Sequence, residues 1–451
     1  MQYSVVAFSG VSVRNFLNES AAMSSMPIST EMGLNMLWGF SLAILPFGHW
    51  LGSMTANWIF STLGPKSSAI VLPTAVTLEG CLLIGFSKPS VAYALFLLGR
   101  ALIGIAIGVA DELLFRYFDE IKPVRSKRVG KTFSSFCKTA WFSLGLILSS
   151  TSILGTTELW TVLFVIPAIP CGLLLILQLL LPESPKFLYQ RNGYTPKLER
   201  LVISYKLPAG STPQDISSFM SNIIQEADKV EISVYGDSWL IPLLESALIP
   251  LSGVYVLYSN VGLTLNAMND EGSVNYVIIG ATVTGLIGVF LQIQHHLVRL
   301  ILMLLTIFCH IGLLVGGLLC DYASSKTSTI PFVVMLVLLC ICQPVADQAK
   351  LETRSLSLAK KAVKHGVMTV LLQFYWPLYG AIGSLALLLM VLVPYAICAC
   401  AYIAVHYLPS LKQTVDNSSE QTLVGSCLSS SYGTFAAELP ERKELAEQVQ
   451  V

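Results

Sequence analysis

Ionisable side chains inside apolar runs are the residues of this chain whose types could do chemistry. Asp111, Glu112 and Arg116 fall in one apolar run, Lys138 in the next, and Glu245 in a later one. A charge near the centre of a bilayer costs about 2.5 to 3.5 kcal/mol on insertion scales, so such a residue usually faces a bundle interior and has a partner. The pattern therefore indicates buried ion pairs, or a cavity that binds a polar solute.

Spacing indicates which of these charges could pair. Glu112 and Arg116 are four residues apart and can meet along one helix face, which favours a structural pair inside the membrane. Lys138 could face a cavity with Asp111 or Glu245 as its partner, and would then suit a charged solute or couple transport to protons. Lys138 could equally extend its ammonium to the cytoplasmic edge of the membrane, and both interpretations stay open.

The composition is that of a membrane protein. Of 451 residues, 54% are hydrophobic and 12% charged, with a mean hydropathy of +0.68. Apolar runs of about twenty residues can cross a ~30 Å hydrocarbon core. They predict an all-α polytopic protein with eleven complete spans, near 37–60, 67–86, 93–118, 132–154, 160–181, 240–263, 274–297, 300–319, 330–345, 366–384 and 387–407. Residues 1–13 are apolar but too short to cross, and we interpret them as half of a first span, apparently truncated.

Basic residues concentrate in three segments, near 122–131, 186–206 and 350–364. Because short basic loops stay in the cytoplasm, this distribution predicts a cytoplasmic central loop and a cytoplasmic C-terminal tail. The segment around Asn18 is then predicted to be an outer loop. Asn18, Glu19 and Ser20 form an acceptor for N-linked glycan, so Asn18 is a candidate glycosylation site.

Several functions are disfavoured by composition and spacing. The ten cysteines lie mostly in apolar runs, and pairs such as Cys340 and Cys342 point in different directions on a helix, which argues against a metal site. No cofactor is implied. No nucleophile and base stand at motif spacing, which argues against an enzyme. Zero net charge argues against nucleic acid as a partner and leaves the lipid bilayer and a small-molecule solute, with the oligomeric state undetermined.

An acidic residue with basic partners recurs at two equivalent places. Glu120 is followed by Lys127 and Arg128 in the loop after the fourth span, and Glu352 by Lys360 in the loop after the tenth. This recurrence is typical of the parallel repeat of major facilitator transporters. The alternative is that cytoplasmic loops are simply basic and the two glutamates stand there by chance.

Four longer motifs make a resemblance specific. They are LWGFSLAILPFGHWLGS at 37–53, LGRALIGIAIGV at 98–109, PESPKFL at 182–188 and LSGVYVLY at 251–258. The chain resembles a facilitative glucose transporter of the sugar porter branch of the major facilitator superfamily, over nearly its whole length. The resemblance implies a major facilitator fold of two six-helix halves, with an N-terminal bundle at 1–188, a cytoplasmic central loop at 189–236, a C-terminal bundle at 237–409 and a disordered cytoplasmic tail at 410–451.

The resemblance also implies alternating access, in which the two halves rock about a central cavity. Charges at the cytoplasmic ends of the spans would hold that side shut and form an inner gate. By position, this role falls to Glu120, Lys127 or Arg128, Glu183, Glu352 and Lys360, with Arg100 as the partner inside span four. The loop between spans two and three keeps a single basic residue of the family pattern, Lys66, so we expect a weakened gate.

The chain departs from the family where its members contact hexose. Tyr255 stands in place of an asparagine, and Cys137 lies at or beside the position of a glutamine. An unpaired hydroxyl in a closed cavity costs about 1 to 3 kcal/mol, while a millimolar binder has only about 4 kcal/mol in total. Hexose binding through the family's usual contacts is therefore not expected. The residues that could line the cavity instead are Cys137, Lys138, Glu245, Tyr255 and Asn260.

These observations predict a transmembrane transporter that moves a small polar solute, hexose by family resemblance, through a cavity between two halves. Two alternatives stay open. The chain could be a transport-inactive relative that acts as a nutrient sensor or receptor, or it could transport a charged solute that is not a sugar. We expect a multi-pass protein of the plasma membrane.

Overall fold

The computed structural model describes residues 2–23, 30–121, 129–205, 214, 217–218, 221, 240–267, 274–290, 296–323, 333–338 and 354–405. The helices before the central segment are α1 (Val6–Met23), α2 (Glu31–Leu63), α3 (Leu72–Ser87), α4 (Tyr93–Ile121), α5 (Val129–Leu148), α6 (Trp160–Val165), α7 (Ala168–Leu177), α8 (Pro185–Asn192) and α9 (Pro196–Tyr205). A π-helical turn at Ser67–Val71 leads directly into α3. We call α1 to α7 the N-terminal helices.

The helices after the central segment are α10 (Leu240–Leu251), α11 (Val254–Ala267), α12 (Val274–Phe290), α13 (His296–Ala323) and α14 (Arg354–Ile382). A further helical run covers Leu385–Val405 and contains a π-helical turn at Leu388–Leu392. We call this group, from α10 onward, the C-terminal helices.

The described residues contain six helical segments long and apolar enough to cross a membrane. They are Ser67–Ser87, Tyr93–Phe118, Trp160–Leu180, Leu240–Asn266, Leu300–Leu319 and Leu385–Val405, and each overlaps a predicted span. The predicted spans 37–60 and 366–384 lie mainly within α2 and α14, and 132–154 and 274–297 begin within α5 and α12. The run at 330–345 lies largely outside the described residues. The prediction of a multi-pass, all-α membrane protein is confirmed.

The segment around Asn18 is helical, so the prediction that it forms a loop is wrong, while its placement on the outer side stays a prediction. Helix α1 continues to Met23, and Asn18 lies on its exposed side. The opposite side carries Phe16 and Leu17, which are buried, and the ring of Phe16 lies 5.1 Å from that of Trp160. Apolar contact with the neighbouring helices thus extends α1 through residues that are polar enough to suggest a loop.

Glycines bring α2 and α4 into backbone contact. A Cβ atom on Gly104 would lie 2.4 Å from the carbonyl oxygen of Leu45, and one on Gly108 would lie 2.1 Å from that of His49. Gly48 and Gly52 of α2 are equally close to the backbone of α4. Small residues at four facing positions allow two membrane helices to approach more closely than larger side chains would permit. Asp111 lies one turn after Gly108 on α4, so this contact sets the separation between Asp111 and His49 on α2.

The chain is interrupted between α10 and α11. Gly253 has a φ of 73°, which favours glycine, and a Cβ atom there would lie 2.6 Å from Val391 Cγ1. The interruption leaves the carbonyl oxygen of Ser252 outside the regular helical pattern, and His310 Nε2 lies 2.8 Å from it. His310 is fully buried, and its Nε2 is placed to donate to this carbonyl. The bond then satisfies a backbone group that the broken membrane helix leaves without a helical partner.

Helices α2 and α14 run antiparallel in close contact. A Cβ atom on Gly39 would lie 2.1 Å from the carbonyl oxygen of Gln373, and one on Gly380 would lie 2.7 Å from Asn35 Nδ2. The side chain of Gln373 also donates to the carbonyl of Met36 at 3.2 Å. The N-terminal helix α2 and the C-terminal helix α14 thus pack along a shared face. Their tightest contact lies towards the N-terminal end of α2.

Candidate functional site

A partly exposed ion pair joins α4 to α5. Lys138 Nζ donates to Asp111 Oδ1 at 2.9 Å, and His49 Nε2 lies 3.8 Å from Asp111 Oδ2. The side chain of Lys138 is 60% exposed and that of Asp111 is 35% exposed, although both belong to apolar helical runs. Of the partners that the sequence left open for Lys138, the structure shows Asp111. Exposed charges paired inside spans are typical of the wall of a water-accessible cavity.

The C-terminal helix α14 contributes charges to the same place. Lys361 forms an ion pair with Glu112, which follows Asp111 on α4. The ring of His365 lies 3.9 Å from the ring of His49. Lys361 also interacts electrostatically with Asp111. The charged side chains of α4 and α14 therefore meet where the N-terminal and C-terminal helices touch.

We call this group the charged cluster. Its members are the side chains that pair or interact at this contact, namely His49, Asp111, Glu112, Lys138, Lys361, Lys364 and His365. Lys364 belongs to it through its electrostatic interactions with Asp111 and His49.

The predicted pair of Glu112 with Arg116 does not form. Arg116 Nη1 donates instead to Asn57 Oδ1 at 2.8 Å, and the guanidinium lies 4.6 Å from the ring centre of Phe60. Glu112 is taken by Lys361. Both residues of the predicted pair thus have partners on other helices. Asn57 and Phe60 of α2 contact Arg116, and Lys361 of α14 pairs with Glu112.

Two of the predicted cavity residues have clear surroundings. The ring of Tyr255 lies 5.7 Å from that of Tyr3, whose hydroxyl is 3.4 Å from His49 Nδ1, so Tyr255 lies at the edge of the charged cluster. Asn260 is fully buried and its amide oxygen accepts from Trp38 Nε1 at 3.0 Å. Its amide nitrogen donates to the carbonyl of Val256 at 2.8 Å. Asn260 therefore connects α11 to α2 and has its amide already engaged.

The other two predicted cavity residues, Cys137 and Glu245, are half-buried on α5 and α10. Cys137 directly precedes Lys138. Within the described part of the chain, no group of three or more His, Cys, Asp or Glu side chains is arranged to hold a metal ion.

Two of the predicted gate residues, Glu120 and Glu183, make contacts near the C-terminal end of α4. Ser184 Oγ donates to Glu120 Oε2. The backbone nitrogen of Lys66 donates to Glu183 Oε1 at 3.2 Å. The loop between α2 and the π-helical turn, the end of α4 and the start of α8 are therefore connected through two carboxylates. The single basic residue that remains in this loop thus contributes its backbone to the contact with Glu183.

Arg100 lies far from these two carboxylates. It precedes Glu120 by twenty residues on α4, which corresponds to about 30 Å along a helix. It is 1% exposed, donates from Nε to the carbonyl of Ser41 at 2.9 Å, and lies 5.6 Å from the ring centre of Phe164. The structure therefore does not bring Arg100 to the inner gate, and shows it connecting α4 to α2 instead.

The remaining predicted gate residues are only partly described. Lys360 is half-buried on α14, one residue before Lys361 of the charged cluster. Lys127, Arg128 and Glu352 lie outside the described residues.

Sequence reasoning missed His49, Lys361, Lys364 and His365. His49 stands within the apolar motif at 37–53. Lys361 and Lys364 stand in a basic segment that suggested only a cytoplasmic loop, and His365 directly follows it. The available signal was the position of Lys364 and His365 immediately before an apolar run, which places them on the first turns of a span. Their closeness to α4 depends on tertiary packing.

Residues 2–227 match the family model described as sugar (and other) transporter. The chain belongs to this family. Curated sugar transporter relatives include facilitated glucose transporter member 5 of Equus caballus, 28% identical over 39% of this chain, and member 3 of Canis lupus familiaris, 26% identical over 61%. The chain spans 35% and 57% of the lengths of these two relatives.

Solved structures of sugar transporters share the fold. The xylose transporter XylE from E. coli in a partially occluded inward open conformation has a TM-score of 0.66 and 14% identity, covering 90% of this chain and 95% of XylE. Its inward open conformation has a TM-score of 0.62 and 16% identity. Both matches confirm the all-α major facilitator fold that the sequence predicts.

Proposed function

We propose that the chain is a transmembrane transporter that moves a small polar solute by alternating access, with the default substrate, hexose, taken from its family. The observation that carries this proposal is the exposed ion pair of Asp111 with Lys138 inside apolar spans, at the contact between N-terminal and C-terminal helices. A charged, water-accessible wall at that place suits a solute path. The plasma membrane is the location that the family favours.

In this proposal the N-terminal and C-terminal helices form two halves that rock about the charged cluster. The contact of α4 with α14 through Glu112 and Lys361 would separate and re-form in each cycle. Glu120 and Glu183 would stabilise the closed state of the inner gate through the contacts that they make with Ser184 and Lys66.

The proposal is tested by uptake of labelled glucose, fructose and xylose into proteoliposomes that contain the purified full chain. We expect saturable uptake of at least one solute, inhibited by the same solute without label. Protein-free liposomes are the control. Uptake no faster than in these liposomes, from correctly inserted and folded protein, would contradict transport and leave the sensor alternative.

The proposed gate is tested separately with Glu120→Ala. This variant loses the acceptor for Ser184 Oγ and should loosen the cytoplasmic end of α4, altering the rate of uptake without preventing membrane insertion. Glu199→Ala is a matched control, because Glu199 lies on α9 and bonds to the exposed Tyr194. Equal uptake by all three proteins at equal insertion would remove Glu120 from the gate.

A further inference from the structure

Glu79 is an acidic residue in the middle of a membrane span. The span covers Ser67–Ser87, so Glu79 lies about 18 Å along the helix from its start and about 12 Å from its end. A glutamate side chain is too short to cover either distance, unlike a lysine or arginine that extends its charge to the membrane edge. The carboxyl group therefore stays at the depth of the hydrocarbon core.

Two sides of α3 pack against other N-terminal helices. A Cβ atom on Gly80 would lie 2.8 Å from the carbonyl oxygen of Gly99 on α4. Cys81 Sγ lies 3.4 Å from the carbonyl oxygen of Phe164 on α6. These contacts direct Gly80 and Cys81 towards the protein interior.

Glu79 lies on another side of α3, together with Leu82 and Phe86. The three residues are three and four positions apart, so they share one helix face. Leu82 and Phe86 are 57% and 63% exposed, and Glu79 is exposed as well. Large exposed apolar side chains in a span are typical of a surface that faces lipid, in contrast to the charged neighbours of Lys138. We call these three residues the Glu79 face.

The carboxyl group of Glu79 has neither a hydrogen bond nor an ion pair within the described part of the chain. An ionised carboxylate at this depth costs about 2.5 to 3.5 kcal/mol. Protonation removes the charge but still leaves polar oxygens without partners in hydrocarbon. A polar group that reaches Glu79 at the same depth would therefore stabilise it in either form.

Charge complementarity specifies that group. A hydrogen bond between a basic side chain and a carboxylate is roughly twice as strong as a neutral one. A second copy of this chain, related by a two-fold axis, would instead bring Glu79 against its own equivalent, and two close carboxylates disfavour ionisation of each other. A basic partner therefore fits the Glu79 face better than a second copy does.

We propose that the Glu79 face is a docking surface for a transmembrane helix of another protein that carries a lysine or arginine at matching depth. The basic side chain pairs with Glu79, and apolar side chains of the partner helix pack on Leu82 and Phe86. This association goes beyond the proposed function and does not depend on whether the chain transports a solute.

The test uses leucine-rich transmembrane peptides that differ only in their central residue, which is arginine, leucine or glutamate. Association is measured by energy transfer from a fluorescent protein fused to the full chain to a dye on the peptide, in proteoliposomes. We expect the arginine peptide to associate about ten-fold more strongly than the leucine peptide. Equal association of these two peptides would overturn the inference.

Variants locate the contact. Glu79→Gln and Glu79→Leu should lower association of the arginine peptide to the level of the leucine peptide. Glu79→Leu also removes a polar group from a lipid-facing position, so it should insert and fold at least as well as the parent chain. Glu158→Gln, at an exposed position before α6, is the control and should keep the preference for arginine. A preference for arginine that persists in folded Glu79→Leu would overturn the role of Glu79.

Two further measurements test the chemistry of the partner. Glu79→Lys should reverse the preference, so that the glutamate peptide associates most strongly; an inserted protein without this reversal would contradict charge pairing. Energy transfer between two differently labelled copies of the chain reports self-association. Self-association that is lost in Glu79→Leu, without a preference of the parent chain for the arginine peptide, would overturn the basic partner and assign the Glu79 face to a homodimer.

Discussion

At the scale of single residues, solvent exposure inside the spans separates side chains that a solute could reach from structural ones. Asn260 on α11 is buried and accepts from Trp38 on α2, and His310 on α13 is buried against the carbonyl of Ser252 between α10 and α11. Lys138 and Asp111 also pair, yet remain partly exposed. Exposure inside a span therefore distinguishes Lys138 and Asp111 from the buried polar residues of the same helices.

We predict that Asn260→Ala destabilises the protein by about 1 to 3 kcal/mol, because Trp38 Nε1 would be buried without an acceptor. The measurement is the free energy of unfolding of the purified protein in mild detergent. Asn275→Ala, at an exposed position of α12, should change it by no more than about 0.5 kcal/mol. Two indistinguishable variants would mean that Asn260 does not connect α11 to α2.

At the scale of helices, backbone contact between α2 and α4 holds His49 close to Asp111. The contact depends on facing glycines, whose missing side chains allow the approach. The second helix contact that matters is between α4 and α14, where Glu112 and Lys361 pair with 16% and 24% of their side chains exposed.

We predict that Gly108→Ala destabilises the fold by about 1 to 3 kcal/mol, because the added methyl group would collide with the carbonyl oxygen of His49 and force α2 from α4. Gly172→Ala is the matched control: it is also helical, and nothing lies within 4 Å of its added atom. Thermal unfolding of both variants decides the question. A loss of stability at Gly172 as large as that at Gly108 would assign the effect to helix propensity in place of packing.

A double-mutant cycle tests the ion pair between α4 and α14. Glu112→Lys and Lys361→Glu should each lower the thermal stability, since each places like charges together, and the two combined should recover much of it. We expect a coupling energy of about 0.5 to 3 kcal/mol. Strictly additive effects would show that the two side chains do not interact in the membrane-embedded protein.

At the scale of the whole molecule, transport by alternating access requires N-terminal and C-terminal helices to move relative to each other. Helices α2 and α14 are in closest contact near Gly39 and Gln373, and again at Asn35 and Gly380. The charge distribution of the loops predicts that this end faces outward. The described contact would then be a closed outer side.

We predict that the double variant Asn35→Cys with Gly380→Cys forms a disulfide under mild oxidant, because the added Cβ of residue 380 would lie 2.7 Å from the side chain of residue 35. Uptake should stop in the oxidised protein and return after reduction. Each single variant is treated in parallel and should transport under both conditions. Undiminished uptake by fully cross-linked protein would contradict a rocking motion of α2 against α14.

Patterns within contiguous stretches of the sequence were sufficient to predict the class, the fold and the family of this protein. The apolar runs, the basic segments and the motifs at 37–53, 98–109, 182–188 and 251–258 are contiguous in the chain, so they determined the membrane class, the all-α fold and the family. The prediction of a Glu112–Arg116 pair shows the limit of local spacing. The spacing along α4 allowed the pair, but Arg116 bonds to Asn57 of α2 and Glu112 pairs with Lys361 of α14.

Only the tertiary structure decided the composition of the charged cluster. His49 and His365 are separated by more than 300 residues, and nothing in the spacing of either indicates the other. Their contact depends on the approach of α2 to α14, which many small steric fits along both helices produce together. Residues that are close only through packing leave no periodic signal in the sequence, whereas the apolar faces that drive the packing do.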